Sequence, residues 1–382
     1  MKFSENRPIK DYCLGIYDGP HATPKEADDG PIFLGIKNFT DDGALNLAEI
    51  RHVSEEEYPR WTRRVVPQMG DVVFTYEATL HRYAIIPEGF HGCLGRRVAL
   101  VRPNPKLVDS RYLLYCFLSR PWRKIVEGNV ITGATVDRIP LERFPDFPIA
   151  LPELRVQRRI ADILSAYDDL IENNRRRMVL LEEAVRQLYR EWFVRLRFPG
   201  HEHTHITNGV PEGWEKVPFE SALVLQRGFD LPVQDREDGD VPIYGSTGIN
   251  GFHNKAKVVG PGIVTGRSGT LGEVRYIEGD FWPLNTALWV KEFRRVPPLF
   301  TLFLMREMDL KQFNGGASVP TLDRKIVHRT EILMPPTTLV RSFDEFAVPL
   351  FQQIGLLTAQ IEKLRAARDL LLPRLMSGEI AV

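Results

Sequence analysis

The sequence predicts an α+β chain built as two tandem copies of one plan, each an irregular β-rich part followed by a long helix. Three observations carry this prediction. Residues 132 to 138 read TGATVDR and residues 315 to 324 read GGASVPTLDR; Gly133 and Gly316 lie 183 positions apart (316 minus 133), and each stands 19 residues ahead of a proline, Pro152 or Pro335. Residues 70 to 86, GDVVFTYEATLHRYAII, are similar to residues 260 to 277, GPGIVTGRSGTLGEVRYI, with a glycine, an apolar strand-like run, a Thr-Leu pair and another strand. Thr79 and Thr270 lie 191 apart (270 minus 79), so small insertions separate the copies. After each proline, apolar residues recur with a helical period, and self-similarity over so long a span fixes an architecture more firmly than any single motif.

Length and composition agree with this plan. A chain of 382 residues exceeds the usual size of a single core. Hydrophobic content of 43% with 10% aromatics is ordinary for a globular protein, and no apolar run approaches the roughly 20 residues that a membrane span requires. The start, MKFSENRPIKDYC, has no apolar segment of the signal-peptide kind, and Cys13, Cys93 and Cys116 are too few and too scattered for a disulfide or metal framework. A cytoplasmic location without membrane contact is expected. Fifty basic and fifty acidic residues give a formal net charge of zero, which speaks against a uniformly basic nucleic-acid binder; binding through a basic patch on one face stays open.

Taken in order, residues 1–150 read as short strands and turns, with RYLLYCFLSRPWRKIV at 111 to 126 a short helix. Residues 151–197 hold the first long helix. Ile160, Leu164, Tyr167, Ile171, Asn174, Met178, Leu181, Val185, Leu188 and Trp192 follow at alternating spacings of four and three, the 3.5-residue period of a coiled-coil seam. Residues 198–209 form a linker broken by Pro199, Gly200 and the Asn208-Gly209 pair; its alternating His201, His203 and His205 lack a carboxylate or cysteine at ligand spacing and read as solvated. Residues 210–336 repeat the β-rich part, with PPLFTLFLMREMDLKQF at 297 to 313 as the matching short helix. Residues 337–382 hold the second long helix, with Leu350, Ile354, Leu357, Ile361, Leu364, Arg368, Leu371 and Leu375 on its seam. Pro349 is expected to kink that helix or delay its start, and Pro373 and Gly378 to mark its end. The two stripes bury themselves on each other, on partner helices, or on both; ordinary core helices are the alternative.

No GxSxG, HExxH or GxxxxGK[ST] appears, and the glycines of GPGIVTGRSGTLG do not fit a loop that opens a helix, so a hairpin turn is the reading there. The chain reads as a binder. The hairpin tips carry hydrogen-bonding side chains: Tyr76, Glu77, Thr79, His81 and Arg82 in the first copy, Arg267, Ser268 and Thr270 in the second. Arginine, serine, threonine and glutamate can read base edges in a major groove, or they are polar turn residues and nothing more. Tyr244, Ser246 and Thr247 of the YGSTG stretch are further candidates. In the glycine phrases, Thr135 and Ser318 are small hydroxyl residues and Asp-Arg pairs ending in Arg138 and Arg324 close the loops; such a loop suits a phosphate, or serves as a plain turn. Two modules on a long strut suit a protein that reads two short sites at a set distance along a duplex.

Several phrases, in this order, resemble the specificity subunit of type I restriction-modification systems: DGPHATP at 18 to 24, the glycine phrases, LPELRVQRRIADILSAYDDLIENN at 151 to 174, REWFVRLRFPGHE at 190 to 202, VPEGWE at 210 to 215, and LRAARDLLLPRLMSGEI at 364 to 380. The resemblance covers essentially the whole chain. It implies two tandem target-recognition domains, 1–150 and 210–336, and two helices forming an antiparallel coiled coil. It also implies a non-catalytic subunit that binds double-stranded DNA, each domain reading one half of an asymmetric bipartite target. Two methyltransferase subunits would dock on the helical regions and carry S-adenosylmethionine, with no cofactor on this chain, and a restriction subunit with translocase activity can join them. Partner-binding or coiled-coil roles fall on Ile160, Leu164, Tyr167, Ile171, Met178, Leu181, Val185, Leu188, Leu357, Ile361, Leu364 and Leu371. The second proline segment, MPPTTLVRSFDEF, lacks the pair present as Gln157-Arg158 in the first, so its junction with partner helices is expected to differ.

Overall fold

A computed structural model describes residues 4–133, 136–316 and 318–382. The chain divides into two compact units, Met1–Glu172 with Ile361–Val382, and Asn173–Gln360. The division falls inside both long helices. The breaks expected at 151, 198, 210 and 337 mark changes of element, and each compact unit takes in half of each helix.

The first unit runs β1 (Arg7–Pro8), β2 (Cys13–Asp18), β3 (Ala27–Leu34), β4 (Arg51–His52), α1 (Tyr58–Trp61), β5 (Val72–Thr75), β6 (Tyr83–Ile85), β7 (Gly92–Leu94), β8 (Val98–Pro103), α2 (Ser110–Leu118), α3 (Arg120–Glu127) and β9 (Pro148–Ile149). It then enters α4 (Leu154–Tyr189), which a π turn at Arg190–Val194 extends. A four-stranded sheet has the order β2-β8-β5-β6, a three-stranded sheet the order β4-β3-β7 with β3 and β7 parallel, and β1 pairs with β9. Val72, Val73 and Phe74 are all buried, which is why β5 sits inside its sheet between β8 and β6. Below it, Phe74 stacks on Phe144 (4.6 Å) and Phe117 on Trp122 (4.5 Å).

The second unit follows the linker hairpin of β10 (Ile206–Thr207) and β11 (Val210–Pro211), whose turn places Asn208 and Gly209 at φ 52° and 75°, the left-handed pair that an Asn-Gly hairpin needs. It continues with β12 (Glu215–Pro218), α5 (Phe219–Ala222), β13 (Leu223–Arg227), β14 (Val241–Gly245), β15 (Gly248–His253), β16 (Gly262–Gly266), β17 (Val274–Ile277), β18 (Trp282–Pro283), β19 (Ala287–Phe293), α6 (Pro298–Glu307), α7 (Arg324–Arg329), β20 (Glu331–Met334) and α8 (Thr337–Met376). Its sheets are β13-β19-β16-β17, β15-β14-β18 with β14 and β18 parallel, and β12-β20. Strand for strand, this is the first unit again. Tyr189, Phe300, Phe303 and Phe343 pack edge to face in its core.

The long helices, of 36 and 40 residues, span about 54 and 60 Å at 1.5 Å per residue. They run antiparallel within each unit: Asp168 meets Arg368 in the first, and Asn174 meets Gln360 in the second. Ile160, Leu164, Ile171, Val185, Leu357, Ile361 and Leu375 are buried; Tyr167, Met178, Leu181, Leu188, Leu364 and Leu371 are half-buried. Pro349 does not delay α8, which begins at Thr337 and passes through it, because the apolar face including Phe343 and Ala347 is already buried on the core. Gly378, at φ 77°, follows the helix end, and Pro373 lies within the last turn.

The glutamine missing from the second proline segment has an internal job. Gln157 is buried; its amide donates to the carbonyls of Leu107 (3.0 Å) and Pro152 (2.8 Å), and its oxygen accepts from the N–H of Asp109 (3.1 Å), the residue that caps α2. Val340, 183 positions later (340 minus 157), is buried among apolar neighbours instead. At this position the two units therefore differ in internal packing.

Candidate nucleic-acid interface

In both units the hairpin tip is tied to the glycine phrase by the same backbone ladder. In the first, the N–H of Ile139 donates to the Tyr76 carbonyl (2.7 Å), that of Ala78 to the Asp137 carbonyl (3.0 Å), and Glu77 bridges to Arg138. In the second, the N–H of Leu322 donates to the Arg267 carbonyl (2.8 Å), that of Gly269 to the Pro320 carbonyl (3.0 Å), and Ser268 bridges to Thr321. Each tip residue matches its counterpart at the 191 offset, and each phrase residue at the 183 offset. A Cβ on Gly133 would lie 2.5 Å from the Val136 carbonyl oxygen, and one on Gly316 would lie 2.0 Å from that of Val319, so glycine is required where each loop folds back on itself.

This register corrects one reading. Asp137 and Arg138 pair structurally with Pro320 and Thr321, and the Asp-Arg pair of the second phrase falls three residues later. There Asp323 caps α7, accepting from the Lys325 N–H, and Arg324 donates to the Leu225 carbonyl (3.3 Å). Arg324 thus holds a helix to a strand and is not the structural equivalent of Arg138.

The other candidates separate by placement. Tyr76 is buried and its hydroxyl donates to the Arg96 carbonyl (2.9 Å), a structural position that base reading does not suit. Arg82 is ion-paired with Asp41, and Glu77 faces Arg97 (3.5 Å). His81 is half-buried at φ 61°, and burial, helped by Arg123 and opposed by Glu127, lowers its pKa and favours the neutral ring. Thr79 is half-buried and Arg138 exposed; Arg138 lines a cavity of about 520 Å³ with His21, Arg64, Tyr17 and Asp18 of the DGPHATP region. Asp18 accepts from Arg64 (2.5 Å) and lies 2.9 Å from His21. Thr135 lies outside the described residues.

In the second unit the tip and the YGSTG turn come together. A Cβ on Gly269 would lie 3.7 Å from the Ser246 hydroxyl, and Arg275 donates to the Thr247 carbonyl (3.3 Å). Thr247, Thr270 and Ser318 are exposed, Arg267 and Ser268 half-buried, and Arg267 also donates to the Asn285 carbonyl (3.0 Å). Tyr244, half-buried, meets Phe281 edge to face, and burial raises its pKa.

Sequence reasoning missed the third wall of each site, the loop joining β7 to β8 and its counterpart joining β18 to β19. The Tyr76 N–H donates to the Arg97 carbonyl (3.1 Å) and the Arg267 N–H to the Thr286 carbonyl (2.9 Å), which makes Arg96 and Arg97 the equivalents of Asn285 and Thr286. The Gly95-Arg96-Arg97 step was the available signal.

The helices carry two polar layers. Arg368 is buried and pairs with Asp168 (2.5 Å) and Asp369 (2.9 Å); Asp168 also accepts from the Tyr115 hydroxyl (2.5 Å). Burial opposes charge on Arg368, but hydrogen bonds and attraction from the two aspartates outweigh it, so its pKa is raised. Asn174, also buried, donates to Gln360 (3.4 Å). No helix among the described residues is long and apolar enough to cross a membrane.

Comparison with known proteins adds the following. A family model described as the type I restriction modification DNA specificity domain matches residues 37–183. The type I restriction enzyme MjaIX specificity subunit of Methanocaldococcus jannaschii is 24% identical over 87% of this chain and 82% of its own length. The putative MjaX specificity subunit of the same organism is 25% identical over 56% of this chain and 51% of its own length. The crystal structure of a type I restriction-modification system S subunit from M. genitalium superposes with a TM-score of 0.59 at 16% identity, over 98% of this chain and 96% of that one, a likeness of fold.

Proposed function

We propose that the chain is a specificity subunit of the type I restriction-modification kind, and that each unit reads one half of an asymmetric bipartite DNA target in a cytoplasmic modification complex. The observation that carries this reading is the shared ladder between hairpin tip and glycine phrase. It presents the same backbone frame twice, with different side chains on each: Thr79 and Arg138 in one, Thr247, Arg267, Ser268, Thr270 and Ser318 in the other. Exposed and half-buried hydroxyls and guanidinium groups on a hydrogen-bonded frame suit base edges and phosphates.

In this reading the chain has no chemical step of its own. Two methyltransferase subunits dock on the helices and bring S-adenosylmethionine, and a restriction subunit joins the same assembly. Apolar side chains exposed on the helices, Leu170 and Leu370 in the first unit and Val179, Leu180 and Leu356 in the second, supply contact surface for those partners. The helices act as a ruler. Adding one turn to α4, with a matching turn in α8, lengthens the strut by about 5.4 Å and is expected to widen the spacer by roughly one to two base pairs without changing the bases read.

Long-read mapping of modified bases in a host that expresses this chain with its methyltransferase tests the proposal. A two-part motif with a fixed gap, appearing only when the chain is present, is the expected result. Methylation indifferent to the chain would sink it.

A further inference from the structure

The two copies differ most at the wall that sequence reasoning missed. In the first unit a groove of about 370 Å³ opens between residues 35–38, after β3, and residues 95–97, before β8, and it is lined by Lys37, Arg51, Arg96 and Arg97 against one carboxylate, Glu49. Phe33 and Ile36 give it an apolar floor, which strengthens the field of the cations above it. Arg97 faces Glu77 (3.5 Å) and Arg51 faces Glu26 (3.7 Å). Lys37 and Arg96 are exposed, and neither has a carboxylate within ion-pairing distance among the described residues.

The same place in the second unit can be located residue by residue. The Gly95 N–H donates to the Leu34 carbonyl (2.8 Å) and the Leu284 N–H to the Tyr244 carbonyl (2.8 Å), so the loops after β3 and after β14 correspond. Three residues past Leu34 stands Lys37, and three past Tyr244 stands Thr247. Arg96 and Arg97 correspond to Asn285 and Thr286, and the Asn285 amide is held by the carboxylate of Asp230. The frame thus carries three cations in the first copy; in the second it carries three neutral polar residues with Asp230 alongside, and the guanidinium groups of Arg267 and Arg275 donate to the Asn285 and Thr247 carbonyls.

We propose that Lys37 and Arg96 of the first unit each hold a DNA backbone phosphate. This deepens the reading above and rests on it. Lys37 and Arg96 line one groove, and the Arg96 carbonyl accepts from the Tyr76 hydroxyl beside the hairpin tip, so a duplex read by the tip would pass its backbone along the groove.

The test uses the complex with its methyltransferase partner and a duplex carrying the mapped site. Affinity is measured across salt for the unaltered chain, for Lys37→Ala with Arg96→Ala, and for Arg96→Lys alone. Each phosphate contact contributes about 0.9 to the slope of log affinity against log salt, so the double variant is expected to lose about 1.8 from the slope and Arg96→Lys almost nothing. The methylated sequence should stay the same. Should the alanine pair fail to assemble, Lys37→Gln with Arg96→Gln removes the same charges with less loss of side-chain bulk. An unchanged slope overturns the proposal, and so does a changed base at one half-site, which would make these residues base readers. If the unaltered complex binds the duplex without salt dependence, the failure lies with the function proposed above.

Discussion

Apart from the linker hairpin of β10 and β11, the two units share their sheet pairings, yet they solve the same local problem with different residues. At the hairpin tip the first unit places Ala78 and His81 at φ 68° and 61°, and the second places Gly269 and Gly272 at φ 92° and 93° at the corresponding positions. A left-handed conformation costs a residue with a Cβ roughly 1 to 2 kcal/mol, and glycine much less. The first unit holds a strained tip because the backbone ladder to residues 137–139 over-determines it. The frame therefore resides in main-chain hydrogen bonds, and the side chains it presents are free to diverge between copies, as the proposed reading of two different half-sites requires.

The largest expected stability effect separates the two polar layers of the helices. Arg368→Ala leaves Asp168 and Asp369 without their cation and is expected to cost roughly 3 kcal/mol, the low end for a buried pair because the Asp168 side chain is 33% exposed. Gln360→Ala removes one neutral hydrogen bond from Asn174 and should cost about 1 kcal/mol. Chemical denaturation of both variants checks the ranking, and equal losses would show that burial of charge has no special part in the first unit.

Gly133→Ala and Gly316→Ala come next. Each Cβ would meet a carbonyl oxygen three residues ahead, so each should cost about 1 to 3 kcal/mol, and by similar amounts if the two loops are one structure used twice. A loss confined to one copy, seen in the denaturation midpoint, would break the equivalence. The smallest effect is at the tip. Gly269→Ala is expected to cost about 1 kcal/mol, whereas Ala78→Gly should fall within about 0.5 kcal/mol of neutral, because relief of strain is offset by the greater freedom of glycine in the unfolded chain.

Much of the fold was legible in the sequence because repeats and helical periods are one-dimensional signals. The echo of Gly133 in Gly316 survived divergence since a Cβ there strikes main chain, and the 3.5-residue stripe from Ile160 to Leu188 survived since it must stay buried. The site was less legible. Tyr76, Arg82 and Arg324 looked like readers by residue type, yet burial, Asp41 and the Leu225 carbonyl commit them elsewhere. The equivalence of Arg96 with Asn285 was hidden, because the insertions that separate the copies shift the offset between loops and the residues themselves share no chemistry. The hydrogen bonds from Tyr76 and Arg267, and those from Gly95 and Leu284, reveal it.

Exchanging residues 210–336 for the matching domain of a relative, then mapping modified bases across the genome of a host that expresses the chimera with its methyltransferase, tests the central claim most directly. One half of the two-part motif should change, with the other half and the gap between them kept. A change in both halves, or in neither, would contradict an account in which each repeated unit reads its own half of the target.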